Sequence, residues 1–86
     1  MAETRWQAID FEKGTRYYRI ILHQDLWHRW VVTKVWGGKG RKAQYVRHEP
    51  QISYEKAITR LRELADYREH RRKYHLEKTN AIKRIV

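Results

Sequence analysis

Between Leu26 and His48 the chain carries no acidic residue. Arg29, Lys34, Lys39, Arg41, Lys42 and Arg47 stand in that window, interleaved with Trp27, Trp30, Trp36 and Tyr45. Cations beside aromatic rings are what a phosphate backbone with exposed sugars or bases requires. The alternative is that the tryptophans are core and the lysines are ordinary solvation. The absence of acids, as well as the presence of bases, favours a polyanion. Gly37, Gly38 and Gly40 let backbone N–H groups approach a ligand closely and form an anion nest. A tight hairpin explains the same glycines. The run is not a Walker loop, because GxxxxGK[ST] is absent.

Catalytic chemistry finds little to use. His23, His28, His48, His70 and His75 show no metal-ligand spacing with a second donor. His48-Glu49 does not continue into HExxH. The acids are scattered, with no pair placed for general acid–base work. There is no cysteine, which excludes disulfides, thiolate zinc sites and cysteine nucleophiles. No cofactor or metal is expected, and no enzymatic activity. A second basic group, Arg68, Arg71, Arg72 and Lys73, reads as a solvated helix face, with Glu69 and Lys73 spaced as an i,i+4 pair.

These residues must be positioned by a small domain. The chain has 86 residues and a net charge of +10, with 13% aromatics. That length is room for one domain, and the aromatic content excludes a plain disordered basic tail. No run approaches the roughly 18 apolar residues of a membrane span. No charged-then-apolar leader opens the sequence, so secretion is not expected and a cytoplasmic protein is, with association to a nucleoid compatible. Trp6 to Phe11, Tyr17 to Leu22, Trp30 to Trp36 and Ala43 to His48 read as strands, with Lys13-Gly14 as a turn. Tyr18, Ile20 and Leu22 share one face, with Arg19 and His23 on the other. On the third strand Trp30, Val32, Lys34 and Trp36 share a face, opposite Val31, Thr33 and Val35. A face bearing Lys34 suits packing under a helix poorly, so the tryptophan face is expected on the open side of the sheet. Trp36 ends a strand before glycines, which puts its ring at a sheet rim. After Pro50, Ser53 is an N-cap with Glu55 in the first turn. Tyr54, Ala57, Ile58, Leu61, Leu64 and Ala65 then follow at helical spacing. The helix is expected from Tyr54 to about Tyr74. The fold class is therefore α+β: an antiparallel sheet of about four strands with one long amphipathic helix on one face. The domain spans 1–75, and the tail 76–86, with its apolar Ile82, Ile85 and Val86, is either frayed or docked.

Trp36-Gly37-Gly38-Lys39-Gly40, preceded by Trp30-Val31-Val32-Thr33-Lys34-Val35, resembles the signature of the WGR domain family, in which a Trp-Gly-Arg triplet closes a strand and a glutamine follows. Gln44 is the counterpart of that glutamine. Arg16-Tyr17-Tyr18-Arg19-Ile20 resembles the family's tyrosine-bearing strand, Ser53 to Leu64 its helix, and Arg71-Arg72-Lys73-Tyr74 its closing basic run. The resemblance covers roughly residues 5–75. Two positions depart from it: Gly38 stands in place of the triplet's arginine, and Lys73 in place of the glycine before the closing tyrosine. In DNA-dependent poly(ADP-ribose) polymerases this domain helps recognise DNA breaks. The resemblance thus implies binding to double-stranded DNA, at ends or nicks, by a stand-alone domain of a kind typical of bacteria. Lys39, Arg41 or Lys42 would then supply the missing cation.

The residues and the resemblance together define an expected DNA-binding surface that tolerates sequence. Lys39, Arg41 and Lys42 hold phosphates from the loop, beside Gly37. Arg19, Lys34 and Arg47 hold them from the sheet, and Arg71 and Arg72 from the helix end. Trp36 packs on a sugar or base. The rival readings are a protein-interaction module that docks an acidic partner, with exposed tryptophans as anchors, and an RNA-binding module.

Overall fold

The computed structural model describes residues 5–42 and 44–82. Five antiparallel strands form one sheet: β1 (Trp6–Lys13), β2 (Arg16–Gln24), β3 (Trp30–Gly38), β4 (Gln44–Pro50) and β5 (His75–Ile82), in the spatial order β4-β3-β2-β1-β5. The first four run as a meander, each paired with its neighbour in sequence. Gly14, at φ +60, makes the tight turn between β1 and β2 without the steric cost a Cβ would bring. One helix, α1 (Tyr54–Asp66), packs across β2 and β3. The α+β architecture is as expected. The sheet has one strand more than expected, because part of the tail is strand: β5 pairs along β1, from Glu12↔His75 to Trp6↔Ile82. The domain therefore extends past residue 75. Ala43, Ile85 and Val86 lie outside the described residues.

Ser53 caps α1 as its type and position require, its Oγ accepting from the Lys56 N–H at 3.1 Å. The far end of the helix differs from expectation. Regular α-helix stops at Asp66, and a wider π-helical turn covers Tyr67–Arg71. Lys73 then adopts φ 59 and reverses the chain. This leaves Tyr74 outside the helix and buried, with its ring edge-on to Tyr18 at 6.2 Å. Burying a tyrosine ring outweighs the cost of one left-handed lysine. Lys73 thereby leaves the helical register that an i,i+4 pair with Glu69 would need.

The core lies between α1 and one face of the sheet. Phe11, Tyr18, Ile20, Leu22 and Val32 meet Ala57, Leu61 and Tyr74, with Trp30, Trp36, Tyr54 and Ile58 packed around them. This overturns the expected placement of the tryptophan row. Trp30, Val32, Lys34 and Trp36 do share a face, but it is the helix-covered one. The reason is register: Tyr18 stands opposite Trp36, Ile20 opposite Lys34 and Leu22 opposite Val32. Cross-strand partners point the same way, so the strongest apolar row of β2 takes the tryptophans with it. Lys34 is tolerated there because Glu49 on β4 meets its Nζ at 2.7 Å and also binds Arg60 of α1 at 2.7 Å. The opposite face carries a polar row instead. Thr33, its hydroxyl buried, lies between His23 at 2.6 Å and His48 at 2.8 Å.

Candidate nucleic-acid interface

Three chain segments far apart in sequence meet at one end of the sheet: the β1–β2 turn, the β3–β4 loop and the stretch after α1. Lys13 pins two of them, donating from its Nζ to the Arg72 carbonyl at 2.7 Å. The Lys39 N–H ties the third, donating to the Thr15 carbonyl at 2.6 Å. Two adjoining hollows result. One, of about 580 Å³, is walled by Lys13, Gly14, Arg16, Arg71 and Arg72. The other, of about 520 Å³, is walled by Arg16, Trp36, Gly37, Gly38, Arg41 and Tyr45. Thr15, Arg16 and Tyr74 belong to both, so the hollows adjoin along these residues as a two-part groove. Among the described residues, no carboxylate lines either of them. Arg16, Arg41, Arg71 and Arg72 have no acidic partner among the described residues. Their charge is therefore uncompensated where they converge.

The expected site residues divide. Trp36, Gly37, Arg41, Arg71 and Arg72 line the groove. Arg47 is exposed on β4, on the same face as Trp36. Lys42 is exposed in the loop. Three expected phosphate ligands are already neutralised. Lys34 is held by Glu49, Lys39 by Glu12, and Arg19 by Asp10 at 2.9 Å on the opposite face of the sheet. Arg68, expected to be solvated, lies with its guanidinium carbon 3.7 Å from the Tyr18 ring centroid. Burial pushes the Tyr18 phenol above its ordinary pKa, and Arg68 partly opposes that rise.

Gly38 has a particular role. A Cβ there would meet the Arg41 side chain at 3.1 Å, so the Arg41 stem lies against the glycine backbone. Gly40, at φ +75, makes the turn that brings Arg41 back over it, and the Arg41 N–H closes the turn on the Gly38 carbonyl at 3.2 Å. Of the three loop cations, Arg41 alone both lines the groove and is unpaired among the described residues.

Arg16, Lys13 and Tyr45 were not assigned to the loop site from sequence. The signal for the first two was a turn flanked by cations, Lys13-Gly14-Thr15-Arg16. Its relevance depends on Arg16 standing opposite Gly38 in the β2–β3 register. Trp36 is half-buried and stands between two rings. Tyr18 stacks on it at 6.0 Å and 27°, and Tyr45 at 5.6 Å and 17°.

Compared with known proteins, the chain matches no family model, no curated protein and no solved structure.

Proposed function

We propose that this chain is a non-enzymatic DNA-binding module that holds the phosphate backbone in the arginine groove and tolerates sequence. The observation that carries this reading is the convergence of Arg16, Arg41, Arg71 and Arg72 from three segments onto a groove without carboxylates. Forked guanidinium groups suit phosphate oxygens. A bound anion lowers their mutual repulsion, beyond the screening that solvent and salt already give. The resemblance of Trp30 to Gln44 and its flanks to the WGR domain family supports the same reading, with DNA ends or nicks as the preferred form. Under it, Arg41 stands in for the arginine that Gly38 replaces.

The test is a titration against closed circular duplex, nicked duplex, blunt duplex and single strand over a range of salt. If about 4–5 phosphates are neutralised, log K falls against log salt with a slope of roughly −4. No binding at low salt, or a slope near zero, defeats the reading. Equal affinity for closed and broken duplex removes end recognition and leaves general phosphate binding.

The second reading, docking of an acidic protein partner, is favoured by one feature at the other end of the sheet. Leu26 and Trp27 are 89% and 72% exposed at the β2–β3 tip. A protein complex anchored there would show a defined stoichiometry and weak salt dependence.

A further inference from the structure

Tyr18, Trp36 and Tyr45 are cross-strand neighbours on β2, β3 and β4, and their rings stand side by side above one face of the sheet. Exposure rises along the row. Tyr18 is 2% exposed, Trp36 is half-buried and Tyr45 is 62% exposed. A ring stacks against Trp36 on either side, which leaves the indole less open to a ligand than Tyr45. Tyr45 differs because β4 is an edge strand with no neighbour beyond it. One ring face rests on Trp36 and the other meets solvent. The row is a stack with an open end.

We propose that the outer face of Tyr45 is the platform on which one unpaired DNA base stacks, continuing the row by one ring. This rests on the reading of the groove as a DNA phosphate site. The chemistry around the ring fits that occupant. Arg41 shares the groove wall with Tyr45 and reaches a phosphate on one side. Arg47, exposed and two residues along the same face of β4, reaches the next phosphate on the other, about 7 Å away along the strand. Glu49, the acid farther along that face, is held by Lys34 and Arg60 and does not repel the strand. A single phenol ring covers one base rather than a base pair, so the stacked nucleotide belongs to an overhang, a gap or a frayed end. Stacking on a ring already held by Trp36 costs little ordering, since Tyr45 is pre-positioned.

The experiment compares two labelled duplexes that carry the same single-stranded overhang, one with normal bases and one with abasic sugars. Phosphates are identical in the two, so the groove alone cannot tell them apart. The full chain is expected to bind the base-bearing overhang about 5- to 150-fold more tightly. Tyr45→Ala is expected to bring that ratio to about one, the ratio and not either affinity being the readout. Tyr45→Trp is expected to preserve the ratio. A thermal melt of each variant establishes that it is folded at the titration temperature, and the comparison of the two duplexes with the unaltered chain needs no variant. Equal, salt-dependent binding of the two overhangs by the unaltered chain overturns the stacking platform and leaves the groove reading standing. A ratio that survives Tyr45→Ala moves the platform elsewhere and overturns the assignment. Absence of binding to both duplexes at low salt overturns the groove reading and the platform with it.

Discussion

The two ends of the sheet each carry a tryptophan from the same acid-free stretch, and they have been put to opposite uses. At the β3–β4 end, Trp36 is stacked on both faces and supports a groove of arginines without acidic partners. At the β2–β3 end, Trp27 projects from a tip locked by a single acid. Asp25 accepts from the Trp27 N–H and the Arg29 N–H, both at 2.9 Å, and from the Arg29 guanidinium. Partial desolvation would raise the Asp25 carboxyl, but the hydrogen bonds from Arg29 and Trp27 outweigh it and leave its pKa lowered. Arg29 lies over the Trp27 ring at 5.3 Å. A cation contributes to anion binding only where its own chain does not neutralise it, and Asp25 lies one position outside the window that reads as acid-free.

The largest effect should separate the ends by binding. Replacing Arg16, Arg41, Arg71 and Arg72 together by glutamine is expected to lower DNA affinity by about 100-fold or more at moderate salt, and to flatten the salt slope by roughly 3 to 4. Arg29→Gln at the tip is expected to change affinity less than about 2-fold. A strong Arg29 effect would put the polyanion at the wrong end.

A smaller effect should separate them by stability. Trp36→Ala empties a slot between Tyr18 and Tyr45, so a denaturant melt should show a loss of about 2–4 kcal/mol. Trp27→Ala removes an exposed ring, and the same melt should move by about 0.5 kcal/mol or less. Similar losses at the two sites would contradict the stacked arrangement.

Acid gives the third contrast. The Arg60 hydrogen bond, against a burial penalty and with help from Lys34, holds the Glu49 carboxyl at about 2 instead of 4.5. The folded pKa lies below the unfolded one, so the contribution is complete above about pH 4.5 and is lost as the pH falls towards 2. After screening by solvent it should amount to about 1–2 kcal/mol. Glu49→Gln should remove that part of the acid dependence, read as unfolding free energy between pH 5 and 3. The smallest effect belongs to Asp25→Ala, which should speed amide exchange at the tip while leaving the groove's exchange unchanged.

Much of the fold was legible because its signals are local. Ser53 identifies a helix start by its own chemistry, and the alternation of Tyr18, Ile20 and Leu22 identifies a strand face. What was not legible depends on register, which no local pattern fixes. The burial of Trp30 and Trp36 follows from Tyr18 standing opposite Trp36, and so does the proximity of Arg16 to the glycine-rich loop. The helix end misled for a different reason. Residues 67–73 have helical composition, but the α-helix gives way to a π turn over Tyr67–Arg71 and the chain reverses at Lys73, where Tyr74 is buried against Tyr18, a contact across the fold. Arg41, Arg71 and Arg72 were visible as cations. That they would be unpaired while Lys34, Lys39 and Arg19 would not was a property of the assembled sheet.

The pairing of β1 with β5 has a kinetic consequence. Strands β1 to β4 join neighbours through short connections and can zip in sequence, whereas Trp6 must find Ile82 across nearly the whole described chain. Loop-closure entropy grows only by about 0.6 kcal/mol per doubling of length, so this seam is slow to nucleate rather than weak once made. The meander and α1 should therefore assemble first and the β5 seam last. Mutations in β5 should then speed unfolding while barely altering the folding rate. Because Arg16, Trp36 and Arg41 belong to the meander while Arg71, Arg72 and Tyr74 lie between α1 and β5, anion capture during refolding should reach full strength only once the stretch leading into β5 has docked.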